Sequence, residues 1–169
     1  LLRCCLHLTE GQHLDLGFSR MEDVRQTDYY AMIRGKSAGL MGCAAQIGAL
    51  YGGADDAIAD KYRRFGEALG TAFQIRDDVL GLWGDTHLTG KSTFDDLVEG
   101  KKTLPLLRAV EVLAADDVNR IRMLYRRGNI SEAEANQIRR LIESTDAREF
   151  SDQEARRYVD CAQSLLVEI

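Results

Sequence analysis

The sequence predicts an all-α fold, an antiparallel helical bundle. Three observations carry that expectation. The chain has a single proline in 169 residues, where average usage would give roughly eight, so helix breakers are scarce. Apolar and small residues recur at spacings of three and four over long stretches, the mark of a helix with one buried face. Two Ser-x-x-Glu spacings, Ser131 with Glu134 and Ser151 with Glu154, have the form of a capping box at a helix start.

The elements follow in order. Leu1 to Leu16 begins like the interior of a helix, and we expect sequence upstream of it. Thr27 is the expected N-cap of a long helix whose stripe is Tyr30, Ile33, Ser37, Leu40, Met41, Ala44, Ile47 and Tyr51, closed by Gly52-Gly53. Its small residues, Gly39, Gly42, Ala45 and Gly48, suit close helix approach. The uncharged run from Ser37 to Ala54 holds Gln46 and five glycines between Lys36 and Asp55, and reads as a packed helix with no membrane span. Asp55-Asp56 starts the next helix, with Ile58, Tyr62, Phe65, Leu69, Ala72 and Phe73 on its stripe, until Gly81 and Gly84 dissolve the pattern. Gly84 to Gly100 has no amphipathic period and is expected to be a long loop. Helices follow over Thr103–Ala114 and on to Arg127, stopped by Gly128, and two more start at Ser131 and Ser151.

Composition excludes some functions. With 22 Lys+Arg against 27 Asp+Glu, a net charge of −5, the chain lacks the basic balance of a nucleic-acid binder. Cys4, Cys5, Cys43 and Cys161 form no CxxC pair and no metal-ligand spacing, so a reducing, cytoplasmic setting is expected. His7, His13 and His87 suggest no metal triad.

The chemistry-bearing cluster is Phe73-Gln74-Ile75-Arg76-Asp77-Asp78. Acidic residues ending an apolar helix must be solvated, paired or metal-bound. Carboxylates are hard ligands suited to Mg²⁺, which bridges them to substrate phosphates. On helical spacing Gln74 and Asp77 share a face, and Asp78 points about 100° away. The plain alternative is a solvated helix end in which Arg76 pairs with the acids. Lys36 in RGKSAG, Lys91 in TGKS, and Lys101-Lys102 in EGKKTLP add cations of the kind that neutralise a diphosphate.

In order and spacing, GQHLDL at 11–16, GKSAGL at 35–40, FQIRDD at 73–78 and GDTHLTGKSTFDDLVEGKKTLPLL at 84–107 resemble the C-terminal portion of the trans-isoprenyl diphosphate synthases, or polyprenyl synthetases. The resemblance implies that residues 1–169 are the C-terminal part of a single isoprenoid-synthase helical domain, with the upstream part and its first aspartate-rich motif absent. It implies a prenyltransferase that condenses an allylic diphosphate with isopentenyl diphosphate into a longer (E)-polyprenyl diphosphate. Asp77 would be a ligand of one Mg²⁺, with Asp78 supporting it. Lys36 and Lys91 would grip the allylic diphosphate, with Ser37 and Gln74 at the same end of the pocket and Lys101 closing it from the loop. Gln12 and Asp15 look structural, or like supports behind the residues that touch the ligand. A homodimer is implied by the resemblance alone.

Two departures stand out. The family's second motif reads DDxxD, and its third carboxylate is Gly81 here. Asp55-Asp56 with Asp60 mimics the missing first motif, but follows Gly52-Gly53 at a helix start, where acids favour the dipole. Asp95-Asp96 and Asp116-Asp117 are expected to be loop and cap residues. The competing readings are a non-catalytic partner subunit of such a synthase, a terpene cyclase-type ionising enzyme, and a ligand-free structural bundle.

Overall fold

The computed structural model describes residues 1–21, 23–85 and 94–167. Among these the regular structure is helical: α1 (Leu2–Phe18), α2 (Gln26–Ile33), a π-helical turn (Arg34–Ala38), α3 (Gly39–Tyr51), α4 (Asp56–Trp83), α5 (Asp95–Val98), α6 (Leu104–Val112), α7 (Ala115–Arg127), α8 (Glu132–Glu143) and α9 (Ala147–Val167). The all-α expectation holds. No helix among the described residues is long and apolar enough to cross a membrane. The chain divides into two compact units, one of residues 1–14, 30–74 and 153–169, the other of 15–29 and 75–152.

The first unit rests on backbone-to-backbone contact at glycines. A Cβ on Gly66 of α4 would lie 2.5 Å from the Met41 carbonyl oxygen of α3, and one on Gly42 would lie 2.8 Å from the Arg63 carbonyl. The two helices therefore touch through their main chains. Of the small-residue run, Gly42 makes this approach while Gly48 faces open space. Ala38, Ala59, Ala68, Ala72, Ala155 and Ala162 are buried in this unit. Tyr30 donates its hydroxyl to Glu154 at 2.8 Å, and its ring sits 6.0 Å from that of Tyr158.

The second unit has a larger aliphatic core of Leu82, Leu97, Leu106, Ala109, Ile121, Ile130, Ile138 and Ile142. Its boundaries follow local chemistry. Gly128 ends α7 at φ 71°, and its N–H bonds the Leu124 and Tyr125 carbonyls. Ser131 and Glu134 form the reciprocal capping box that starts α8. At the ends of the core, Trp83 donates to Glu143 at 3.2 Å and Arg108 clasps Asp146 through two bonds of 2.9 and 2.6 Å.

The structure corrects several expected boundaries. The helix predicted from Thr27 starts at Gln26, and its start is satisfied by Asp28, whose carboxylate accepts the Arg25 N–H at 2.9 Å. Its helical path contains the π turn at Arg34–Ala38. α4 does not dissolve at Gly81 but continues to Trp83, because Val79 and Leu82 are buried and that burial outweighs the roughly 1 kcal/mol cost of a helical glycine. Ser151 starts no helix. It lies inside α9, fully buried, with its hydroxyl donating to the Ala147 carbonyl at 2.7 Å. The expected loop 84–100 contains the short helix α5, and Thr103 precedes α6 as its N-cap residue.

Candidate functional site

In the first unit the candidate residues gather at the π turn. The turn is RGKSA, so Lys36 and Ser37 both lie in it, and the Gly39 N–H closes it onto the Arg34 carbonyl, five residues back. Such a turn adds one residue to the helical ladder and re-aims the side chains around it, which is why π-bulges gather at functional sites. Its position is fixed by α1: a Cβ on Gly11 would lie 2.3 Å from the Lys36 nitrogen, and one on Gly35 would lie 2.9 Å from the His7 carbonyl. The two GQ and GK glycines of the sequence thus meet. The Ser37 hydroxyl donates to Gln74 Oε1 at 2.9 Å, joining the turn to α4 with Gln74 buried. Beside these elements a cavity of about 1030 Å³ is lined by Arg3, His7, Arg34, Cys43, Arg63 and Glu67 among others, and by none of Lys36, Ser37 or Gln74.

In the second unit the adjacent acids of FQIRDD have opposite environments. Asp78 is fully buried. Its Oδ2 accepts the Tyr29 hydroxyl at 2.7 Å and the Leu104 N–H at 3.2 Å, and its Oδ1 accepts Lys101 Nζ at 3.2 Å. Leu104 opens α6, so Asp78 caps that helix from α4. Thr103 supplies no such bond, and its own buried hydroxyl has no protein partner. Burial pushes the Asp78 carboxyl upward, opposed by the Lys101 charge and the Tyr29 and Leu104 hydrogen bonds. Despite its own burial, Lys101 is held well above the ordinary lysine range by Asp78 and Asp96, and stays charged.

Asp77 is half-buried and makes no hydrogen bond or ion pair within the described residues. The expected compensation by Arg76 does not occur, because Arg76 pairs with Asp152. A half-buried carboxylate with no partner among the described residues is the kind of oxygen donor a hard divalent cation takes. Asp77 thus supplies one oxygen-donor side chain of the type such a cation uses, while Asp78 beside it is taken up by Tyr29, Lys101 and Leu104. No group of three His, Cys, Asp or Glu among the described residues is arranged around a common point. Lys91 lies outside the described residues.

Sequence reasoning placed Asp96 as a loop or cap residue. It lies in the first turn of α5, after Asp95, with its Oδ2 3.2 Å from Lys101 Nζ, and that same oxygen would be 2.6 Å from a Cβ on Gly81. Gly81, the position of the absent third motif carboxylate, thus makes room for the carboxylate of Asp96. The signal lay in the spacing of Asp96 five residues before Lys101. Asp55 and Asp60 serve the structure: Asp55 accepts the Ile58 N–H at 2.9 Å and Asp60 pairs with Arg63 at 2.7 Å.

A family model described as polyprenyl synthetase matches residues 1–142. A geranylgeranyl diphosphate synthase of Saccharolobus solfataricus is 34% identical over 164 residues, covering 96% of this chain and 48% of the relative. One of Mycobacterium tuberculosis is 44% identical over 106 residues, 63% of this chain and 30% of the relative. Among solved structures, a polyprenyl synthase from Caulobacter crescentus complexed with calcium and isoprenyl diphosphate superimposes at a TM-score of 0.93 with 33% identity, covering 99% of this chain and 51% of that one. A polyprenyl synthetase from Streptomyces coelicolor gives 0.89 with 34% identity, covering 99% and 52%. The chain thus spans about half the length of these relatives, or less.

Proposed function

Because the chain belongs to the polyprenyl synthetase family, we propose that it is the C-terminal part of a prenyltransferase that condenses an allylic diphosphate with isopentenyl diphosphate. The product is a longer (E)-polyprenyl diphosphate. The observation that carries the reading is the contrast between Asp77, with no hydrogen bond or ion pair among the described residues, and Asp78, engaged by Tyr29, Lys101 and Leu104. One acid is free to take a metal while its neighbour fixes the helix that presents it.

In this reading Asp77 would hold Mg²⁺, which would supply Lewis-acid chemistry to the diphosphate, and Asp78 keeps the end of α4 in place. Lys36 and Lys91 bind the allylic diphosphate as counter-charges. The Ser37–Gln74 pair sets a polar edge beside the departing group, its hydrogen bond fixing both side chains. Lys101, shared between Asp78 and Asp96, adds positive charge near the acids. In the reaction the allylic C–O bond breaks and the diphosphate leaves with the bonding electrons. The double bond of isopentenyl diphosphate supplies the pair for the new C–C bond, and a proton is then lost to regenerate an alkene. The cations favour the leaving diphosphate more as its charge develops than before. A homodimer and a cytoplasmic setting complete the proposal.

The test is thermal denaturation of the chain with inorganic diphosphate, with and without Mg²⁺, beside Asp77→Ala. A rise of about 2–4 °C that needs the metal and disappears in the variant is expected. The absence of any metal-dependent shift in the unmodified chain would overturn the assignment of Asp77.

A further inference from the structure

Lys102 is a cation with no ionic partner among the described residues. It is 8% exposed, its Nζ lies 4.3 Å from the centre of the Tyr125 ring, and it makes no hydrogen bond or ion pair with any of them. A buried ammonium normally has a carboxylate partner, and its neighbour Lys101 has two. Burial alone pulls the Lys102 amine below the ordinary lysine range. The Tyr125 ring face offsets part of that cost but carries no charge.

A second, independent observation points to the same place. Arg122 and Tyr125 line, with Lys102, Val24, Leu106 and Ile121, a cavity of about 30 Å³. That exceeds the roughly 10–15 Å³ a water-sized occupant needs. The buried Arg122 Nε and Tyr125 hydroxyl have no protein partner. Arg122 is neutralised at its other end, where Nη2 bonds Asp23 at 2.7 Å, and Tyr125, its hydroxyl pushed up by burial and by the charge of Asp96, which is itself paired with Lys101, stays protonated. The residues that line the cavity therefore include two with an unused buried donor and one, Lys102, whose positive charge has no ionic partner among the described residues, and they include no acidic side chain.

We propose that this cavity binds one small monovalent anion, chloride by size and charge, between Lys102, the Arg122 Nε–H and the Tyr125 hydroxyl. One net charge calls for a monovalent occupant, and the surrounding Val24, Leu106 and Ile121 favour a weakly hydrated ion. The Tyr125 ring also lies 3.4 Å from where a Cβ on Gly100 would be, at a glycine with φ 71°. The anion thus fastens the Gly100–Thr103 segment, which carries Lys101.

The experiment compares melting of the 169-residue chain in sodium chloride, sodium bromide and sodium gluconate at equal ionic strength, beside Lys102→Met. Methionine keeps the apolar stem and removes the charge. A saturable rise of about 2–4 °C in either halide over gluconate is expected, with no halide effect in Lys102→Met. Crystals grown in bromide test the site without any variant, and should show an anomalous peak within hydrogen-bonding distance of Lys102 Nζ. Equal melting in all three salts, or a water at that position in bromide crystals, would overturn the proposal.

Discussion

Gly11 of α1 presses so closely on Lys36 that a single added methyl group at position 11 would stand 2.3 Å from the Lys36 backbone nitrogen. The neighbour is main chain inside the π turn, so no side chain can swing aside. Gly11→Ala should destabilise the chain by about 1–3 kcal/mol, as overpacking does, measured by urea denaturation. Gly48→Ala is its control, since a Cβ there meets nothing within 4 Å and alanine favours the helix. A Gly11→Ala chain as stable as the parent would mean that α1 does not hold the turn.

Asp77 and Asp78 should separate binding from stability. Asp78→Ala strands Lys101 without one of its carboxylates and removes the acceptor of the buried Tyr29 hydroxyl and of the Leu104 N–H, a loss of about 3–5 kcal/mol. Asp77→Ala removes no hydrogen bond or ion pair among the described residues and should shift stability by no more than about 0.5 kcal/mol. Its defect belongs to the metal-dependent response to diphosphate. Chemical denaturation of both variants without metal reads the contrast, and equal losses would contradict it.

What the sequence announced was local, and what it concealed was tertiary. Gly128 and the Ser131–Glu134 pair act within a few residues of themselves, so their roles are written in their own neighbourhood. Ser151 and Glu154 have the same spacing, yet Ala147 and Ala155 are buried on either side and carry the helix through. The π turn was invisible because its geometry is tied to Gly11, which is far away in the sequence. The acidic pair was legible as a site, but not the division of labour within it. Tyr29, Lys101 and Leu104 claim Asp78, and Asp152 draws Arg76 off Asp77.

Gly81→Asp, which would restore the third carboxylate of the motif, should weaken the fold. Its Cβ would lie 2.6 Å from Asp96 Oδ2, and that oxygen is already bound to Lys101. The new side chain must displace Asp96 and place a like charge beside it. A loss of about 1–3 kcal/mol is expected, and pairing Gly81→Asp with Asp96→Ala should recover part of it. A double variant no more stable than Gly81→Asp alone would show that Asp96 is not the obstacle.

Glu134 ties the start of α8 to α7 and makes part of the stability pH-dependent. The Arg127 guanidinium, and then the Ser131 N–H and hydroxyl, hold its carboxyl down from 4.5 to about 2. Because the folded value lies below the unfolded one, the contribution is complete above about pH 4.5 and disappears as the pH falls toward about 2. Glu134→Gln removes the charge at every pH while keeping the shape. The variant should therefore melt below the parent at neutral pH, and the gap should close on acidification across that window. Melting curves of both proteins from pH 7 down to pH 2 measure it. A gap independent of pH would mean that the charge on Glu134 adds nothing, leaving the Ser131 hydroxyl and the neutral shape of the box to start the helix.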